Sequence, residues 1–339
     1  MTPDSTQSSP PGKQPLRSDG KRRIGVVLSL AVSGLLLFVL YRNLDVRAVG
    51  AVLRSAHAGW LIVSVSMIAP ITVLMALRFM WIVPAGCVPG LMEAVRLTLV
   101  ANTANMFLPA KTGDLDKSYF VSRPGGTTAG IAIAIIVYER ISDLFGLIVC
   151  CLLGWVFERA LVSVVPTMVW LLLSVVGAVC LVLLTSDRIT ELLHNVNWRL
   201  LARPRLAKVR LLSMGWPDLH RELRGRRTLI LLYSVFLWFV HLTQIWLFTV
   251  ALATPVPLMA CFSLSALALL AGQIPFTFAG IGVRDVALVA LLSPYMTPEG
   301  AAAMGILTMS RSFLPPLAAL PILRPYLAAM FREVQQAVT

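Results

Sequence analysis

Charge is scarce in this sequence: 13% of its 339 residues are Asp, Glu, Lys or Arg, against about 25% in an ordinary soluble domain. Acidic residues are scarcer still, with 16 Asp plus Glu against 29 Lys plus Arg, a formal charge of +13 and a pI near 10.2. Because 58% of the chain is hydrophobic, little polar sequence remains to cover a water-soluble core, and an ordinary cytosolic protein is excluded. A basic balance points to nucleic acid or anionic lipid. Nucleic acid is set aside, since a DNA-binding domain displays its charge on a soluble core that this chain lacks.

Chemical templates are missing too. Cys87, Cys150, Cys151, Cys180 and Cys261 lie in or beside apolar runs, without C-x-x-C spacing or a nearby His. They read as small core residues, and no metal site is expected. There is no Walker A loop, H-E-x-x-H, G-x-S-x-G or dinucleotide fingerprint, so no cofactor is expected and the chain is read as non-enzymatic. Lys21-Arg22-Arg23 before an apolar run ending near Tyr41 resembles a secretory signal. The run is too long for one, and its nearest A-x-A-like site, Ala56-His57-Ala58, lies too far downstream. It reads as an uncleaved first span.

What the sequence has in abundance is long hydrophobic runs. Residues 1–23, rich in Ser, Pro, Gly and Lys/Arg, read as a disordered basic cytoplasmic tail. Runs near the length that crosses about 30 Å of hydrocarbon occur at 24–41, 60–83, 131–157, 161–184, 229–252 and 301–323. Two shorter runs, 95–108 before Pro109 and 258–274 before Pro275, read as re-entrant half-helices. A third, 286–292, stops at Ser293-Pro294 and resumes after Pro298, as a broken helix would. The expected fold is an all-α, polytopic membrane protein with about six full crossings plus two re-entrant or broken half-helix segments. One transmembrane domain covers 24–325, followed by a short tail, 326–339.

Basic residues in the N-terminal tail and in the loop 185–228 place both on the cytoplasmic side. The count then closes, N-in and C-in, only if neither short run crosses. Residues 43–59 read as a short interfacial helix with Val46, Val49, Leu53 and Trp60 on one apolar face. In the basic loop, Trp198 and Trp216 read as interfacial anchors.

Candidate function rests on polar residues inside apolar segments, each costing about 2.5 to 3.5 kcal/mol at mid-bilayer. The first cluster is Glu139, Arg140 and Asp143, whose three charges would cost on the order of 8 to 10 kcal/mol if unpaired. Glu139 and Asp143 are like charges one turn apart, so a cation from elsewhere is expected between them, while Arg140 can reach Asp143. A structural lock between helices and a polar lining of a substrate path both fit this pattern.

The second cluster, Asn102, Asn105, Pro109, Lys111, Gly113, Asp114, Asp116 and Lys117, combines a helix break with lysines suited to phosphate. A solvated cytoplasmic loop is its plainer reading. The third is Gln273, Pro275, Thr277, Gly280, Gly282, Arg284 and Asp285. Its layout repeats the second, with Pro109, Gly113 and Asp114 matched by Pro275, Gly280 to Gly282 and Asp285, about half the chain apart. Paired interrupted segments of this kind point to a transporter site near the bilayer midplane.

Single residues carry less. Arg78 either snorkels or pairs with Glu139; His241 and Gln244 read first as helix-to-helix hydrogen bonders; Arg311 faces the interior with no partner legible.

Taken together, Asn105-Met-Phe-Leu-Pro109-Ala-Lys111-Thr-Gly113-Asp114, Glu139-Arg140-x-x-Asp143, and Pro275 through Gly280-Ile-Gly282-Val-Arg284-Asp285 resemble the lysylphosphatidylglycerol synthase transmembrane, or flippase-like, family over about 24–325. The resemblance implies a membrane domain that moves lipids or lipid-linked groups between leaflets, without the soluble synthase domain of the bifunctional members. By position, Glu139, Arg140 and Asp143 match the family's charged helix. Pro109, Gly113, Pro275, Gly280, Gly282 and Arg284 match its breaks. Asp114 and Asp285 stand where glutamate is usual, and Lys111 and Lys117 where arginine is common.

The expected function is a flippase-like translocator in a bacterial cytoplasmic membrane. Lys111, Lys117 and Arg284 attract phosphate, and Glu139, Arg140 and Asp143 organise the path. The expected partners are membrane lipids, anionic or lipid-linked, together with a lipid-modifying enzyme; nothing in the sequence sets an oligomeric state. The alternatives are an intramembrane transferase with Glu139, Asp143 or Asp114 as base, and an accessory scaffold of a lipid-modifying complex.

Overall fold

The structure is a computed structural model that describes residues 19–42, 44–107, 127–158, 161–188, 190–191, 207–273 and 280–336. Among the described residues every regular element is a helix, so the chain is an all-α membrane protein. The order begins α1 (Asp19–Arg42), α2 (Val46–Arg54), α3 (Ala58–Ser66), α4 (Ile68–Ile82) and α5 (Leu91–Phe107). It continues with α6 (Ala129–Phe157), the single turn α7 (Leu161–Val164), α8 (Thr167–Thr185) and α9 (Ala207–Glu222). Last come α10 (Arg227–Ala251), α11 (Leu258–Ala271), α12 (Val283–Leu292) and α13 (Pro298–Gln336).

Local chemistry sets these boundaries. Asp45 starts α2 by accepting from the amides of Arg47 at 2.8 Å and Ala48 at 3.3 Å, two donors that a helix start otherwise leaves open. The ring of Pro70 conflicts with the carbonyl four residues back, which ends α3 at Ser66. Pro166 and Pro257 immediately precede α8 and α11, and Pro298 opens α13, positions where a missing N–H leaves no bond unmade.

Four segments are long and apolar enough to cross a membrane: Ala58–Ile82, which joins α3 and α4, then α6, α8 and α10. They correspond to four of the six expected spans. The other two, 24–41 and 301–323, fall within α1 and α13. The expected single run 161–184 is corrected to α7 plus α8, because Pro166 interrupts it. Met168, Leu171, Leu172, Val175, Val179 and Val182 stand exposed along α8, the pattern of a helix whose outer face is solvated by lipid.

At the centre is α6, about 43 Å long at roughly 1.5 Å per residue and surrounded by α8, α9, α10 and α11. Its glycines decide how closely they approach. A Cβ on Gly146 would stand 2.7 Å from the Ser234 carbonyl oxygen of α10, and one on Gly154 would stand 2.4 Å from that of Met259 in α11. Towards its start, Gly130 meets Gly215 of α9 so tightly that a Cβ on Gly215 would lie 2.0 Å from the Gly130 carbonyl carbon. With little hydrophobic force between helices in lipid, such backbone-to-backbone packing is what holds them together.

Two apolar clusters flank this axis. One gathers α4, α5, the first half of α6, α9 and the start of α10. The other gathers the second half of α6 with α8, α10, α11, α12 and α13. Glu139 to Asp143 lie between them.

The same packing corrects two expectations. Trp216 is only 3% exposed and its ring lies 6.0 Å from that of Tyr138. The Gly130–Gly215 contact presses α9 onto α6, so this indole is core and not an interfacial anchor. Trp198 lies outside the described residues. In α2 the inward face carries Val49, Val52 and Leu53, while Val46 is exposed, as is Trp60 at the start of α3.

Beyond α8 a polar knot ties the helix ends together. Asp187 pairs with Arg227 through Oδ1 at 2.8 Å and with Arg224 through Oδ2 at 2.8 Å, and Nδ1 of buried His220 lies 3.4 Å from the same Oδ1. The His220 Nε2–H donates to the Leu184 carbonyl at 3.1 Å, leaving Nδ1 to accept from the Thr190 hydroxyl at 3.1 Å. Burial, then the nearby Arg227, push the His220 pKa below its usual value. The hydrogen bond from Arg227 holds the Asp187 carboxyl below the usual carboxylate range, against a smaller opposing effect of burial.

Two outcomes are expected. Gly215→Ala should lower stability by about 1 to 3 kcal/mol in thermal unfolding in detergent, whereas Gly225→Ala, where an added methyl meets nothing within 4 Å, should stay within about 0.5 kcal/mol. Equal melting of the two variants would contradict the close contact. For pH, a histidine depressed in the folded state is protonated first in the unfolded chain, so stability falls as pH drops through about 6.5. The Asp187 contribution persists until about pH 4 and is then lost. Between pH 7.5 and 5.5 the Tm should therefore fall for wild type and fall less for His220→Gln; parallel curves would remove His220 from the knot.

Candidate functional site

The site begins at the charged turn of α6. Asp143 is the middle residue of that helix, and its carboxylate could not stay ionised there alone. Arg78 of α4, fully buried, supplies the cation: its Nη1 lies 2.6 Å from Asp143 Oδ1 and its Nη2 3.5 Å from Glu139 Oε1. One guanidinium thus separates two like charges. Arg140 adds a contact of 3.3 Å to Asp143 Oδ2. From α10, the Trp238 Nε1–H donates to Asp143 Oδ1 at 3.3 Å, and the Ser234 hydroxyl accepts from Arg78 at 3.4 Å.

The second wall comes from the break between α11 and α12. Gly272 closes α11, and Gly280 and Gly282 follow with φ of 76° and 94°, conformations that favour glycine. A Cβ on Gly280 would lie 2.4 Å from the Gly272 carbonyl oxygen, so the returning chain crosses the helix end in backbone contact. Asp285 then caps α12, accepting from the Gly282 amide at 3.0 Å through Oδ2 and from Arg284 Nη2 at 3.2 Å through Oδ1. Gly305 on α13 leaves room for this carboxylate, since a Cβ there would stand 3.1 Å from it.

Between these walls is a cavity of about 270 Å³. It receives Asn102 and Asn105 from the last turns of α5, Arg140 and Asp143 from α6, and Gln273, Gly280 and Arg284 from the α11–α12 break. From α10 it takes Trp238, His241 and Gln244, and from α13 Thr308 and Arg311. Arg311 hydrogen-bonds Nδ1 of His241. Three arginines and one aspartate face the same space, so the wall is net positive. Among the described residues no cluster of His, Cys, Asp and Glu could hold a metal.

The cavity therefore unites Asn105, Arg140, Asp143, Gly280 and Arg284 of the sequence-predicted residues. Glu139 is brought near but sits behind the wall, wholly buried against Arg78. Asp285 and Gly282 shape the break and do not face the cavity. Lys111, Asp114, Lys117, Pro109, Gly113 and Pro275 lie outside the described residues.

The geometry meets a sequence match at this point: one family pattern fits residues 26–319, most of the chain. The chain belongs to the lysylphosphatidylglycerol synthase transmembrane region family. No curated protein matches it. The family's span starts within α1 and ends within α13, and every residue that lines the cavity lies inside the lysylphosphatidylglycerol synthase transmembrane region.

Sequence reasoning missed Ser234, Trp238 and Thr308. A signal was there. On α10, Ser234, Trp238 and His241 recur at the i, i+4, i+7 spacing of a single helix face, with Gln244 one turn on, and Thr308 and Arg311 repeat the pattern on α13.

Removing the central cation should expose the cost of the arrangement. Arg78→Met strands two buried carboxylates and should destabilise the protein by about 3 to 5 kcal/mol, measured by thermal or denaturant unfolding in detergent. Adding Glu139→Gln and Asp143→Asn to the same protein should recover most of that loss. A single variant that melts like wild type would show that Arg78 is not their counter-ion.

Proposed function

We propose that this protein is a translocator of lipid or lipid-linked headgroups in a bacterial cytoplasmic membrane, with both termini on the cytoplasmic side. The observation that carries this reading is the location of the cavity. Asp143 is at the middle of α6 and His241 two residues past the middle of α10, so the polar space opens at the depth where water is normally excluded. Outside, α1, α3 and α8 present exposed Leu, Ile, Val and Phe to lipid. An amphiphile can then move its polar end along the charged seam while its tails stay in the bilayer.

Its size and construction support the same reading. About 270 Å³ lies just below the roughly 300 to 1,000 Å³ of pockets that enclose drug-sized ligands, enough for a headgroup and too little for acyl chains. The wall combines helix ends from α5 and α11 with the start of α12, the discontinuous elements that transporters place at the midplane. In this reading α5 and α11 are the re-entrant half-helices. Membership of the lysylphosphatidylglycerol synthase transmembrane region family agrees with a lipid-related role.

The test is transport in proteoliposomes, following the leaflet of a panel of fluorescent phospholipids by dithionite quenching. Wild type should move at least one of them, and Asn102→Trp, which places an indole in the cavity, should slow it about tenfold or more without a comparable loss of Tm. Failure of wild type to move any headgroup, or equal rates in the plugged variant, would refute the proposal.

A further inference from the structure

Two side chains on the cavity wall are able to change protonation state near or below neutral pH, Asp143 and His241. Both Asp143 oxygens are already engaged, Oδ1 by Arg78 and Trp238 and Oδ2 by Arg140. His241 is engaged at one ring nitrogen only. Its Nδ1 is hydrogen-bonded to the Arg311 guanidinium, and its Nε2 has no partner among the described residues. The Trp238 ring packs beside the imidazole, 5.1 Å away between ring centres.

The guanidinium decides the protonation state of the ring. A guanidinium only donates, so Nδ1 accepts through its single lone pair, and the neutral ring carries its hydrogen on Nε2. Protonating Nδ1 would remove that acceptor and set two cations face to face at hydrogen-bond distance. A proton and Arg311 are therefore alternative occupants of the same lone pair. The other charges around the ring are Asp143 and Arg140 of α6, Arg78 of α4 behind them, and Arg284 of α12. The remaining helices against α10, namely α3, α8 and α11, bring no titratable side chain to the cavity. Among the described residues Asp143 is the acid that acts on the ring, and it offers an imidazolium a counter-charge whenever Arg311 is away.

We propose that His241 is a proton-binding site in the cavity, for which Arg311 stands in while it is docked on the ring. When Arg311 swings away, the N–H···Nδ1 hydrogen bond breaks. An Nδ1–H bond then forms with a proton from hydronium in the cavity, and the ring passes from neutral to cationic. When Arg311 returns, the proton goes back to water. Each excursion of Arg311 into the cavity is thereby coupled to proton uptake. This rests on the translocator reading only where it makes transport proton-linked; the exchange at Nδ1 belongs to the folded protein alone.

Nitrogen-15 NMR of histidine-labelled full-length protein in nanodiscs reads the ring directly. The chain has four histidines, and His241→Gln identifies the His241 signals by their loss. At about pH 8 wild type should show Nε2–H, with Nδ1 a hydrogen-bonded acceptor. Arg311→Met vacates Nδ1 and removes a neighbouring cation, so at about pH 6 it should hold about threefold or more imidazolium at His241 than wild type. A neutral wild-type ring protonated on Nδ1, or equal imidazolium in the two proteins, overturns the proposal. If Arg311→Met does not fold, the wild-type tautomer decides.

The link to transport is read in proteoliposomes with fluorescent phosphatidylglycerol and phosphatidylcholine, whose charges are constant over the same pH range. Each sample is returned to the higher pH before quenching. The wild-type rate should rise about threefold or more toward the lower pH, and that of His241→Gln, whatever its size, should stay constant. A pH profile shared by both proteins overturns the proton link. Because the NMR needs no transport, the expected spectra with no lipid moved at any pH would sink the translocator reading and leave the proton site standing. Lipid moved by wild type at a pH-independent rate would leave the translocator reading standing and overturn its proton link.

Discussion

A single buried guanidinium makes this architecture possible. Arg78 lies between Glu139 and Asp143, two carboxylates that repel each other from adjacent turns of one helix in a medium hostile to either. An isolated ion pair at this depth roughly breaks even against an apolar replacement, so stability alone does not account for three charges here. What the pair achieves is placement. It ties α4 to α6 at a fixed height, keeps Asp143 ionised at the cavity wall, and gives Trp238 of α10 an acceptor that sets the third side.

Glycine plays the complementary part. Gly130, Gly146 and Gly154 admit α9, α10 and α11 against α6 at backbone distance, so the hub is narrow where its neighbours cross. The polar turn 139–143 stands between the first two crossings, where side chains keep the helices apart and leave polar space. The cavity thus follows from an alternation along one helix: glycine where packing is tight, charge where it opens. At its far wall Gly280 and Gly282 do the same for the α11–α12 break, since their positive φ angles let the chain double back across a helix end.

Much of this was legible in the residues alone because each feature follows a local rule. Hydrophobic run length marked the spans that α6, α8 and α10 form, and a Pro-containing stretch marked the interval between α12 and α13. The need for a cation between Glu139 and Asp143 followed from like charges one turn apart. Its identity did not. Arg78 is 61 residues from Glu139, and nothing local distinguishes a snorkelling arginine from one turned inward. Trp216 was misplaced for a related reason: amphipathic spacing shows that a helix has an apolar face but not whether lipid or protein covers it. Only the Gly130–Gly215 contact, a long-range fact, decides for protein.

The remaining step concerns charge balance around the cavity. Glu139, Asp143 and Asp285 answer Arg78, Arg140 and Arg284, which leaves Arg311 as the wall cation with no acid of its own among the described residues. A folded protein tolerates such a charge only if neighbouring dipoles or a bound counter-charge offset its desolvation. His241 supplies a dipole and no countercharge. Its ring fixes the direction of the guanidinium, and three residues on, Gln244 is fixed in turn by Ser64. Both side chains are held in place by protein contacts, so their side-chain entropy is already lost in the folded protein. The carboxylate-paired arginines and Arg311 are thus separate sets of residues on the same wall, one neutralised by acids and the other held only by a histidine ring.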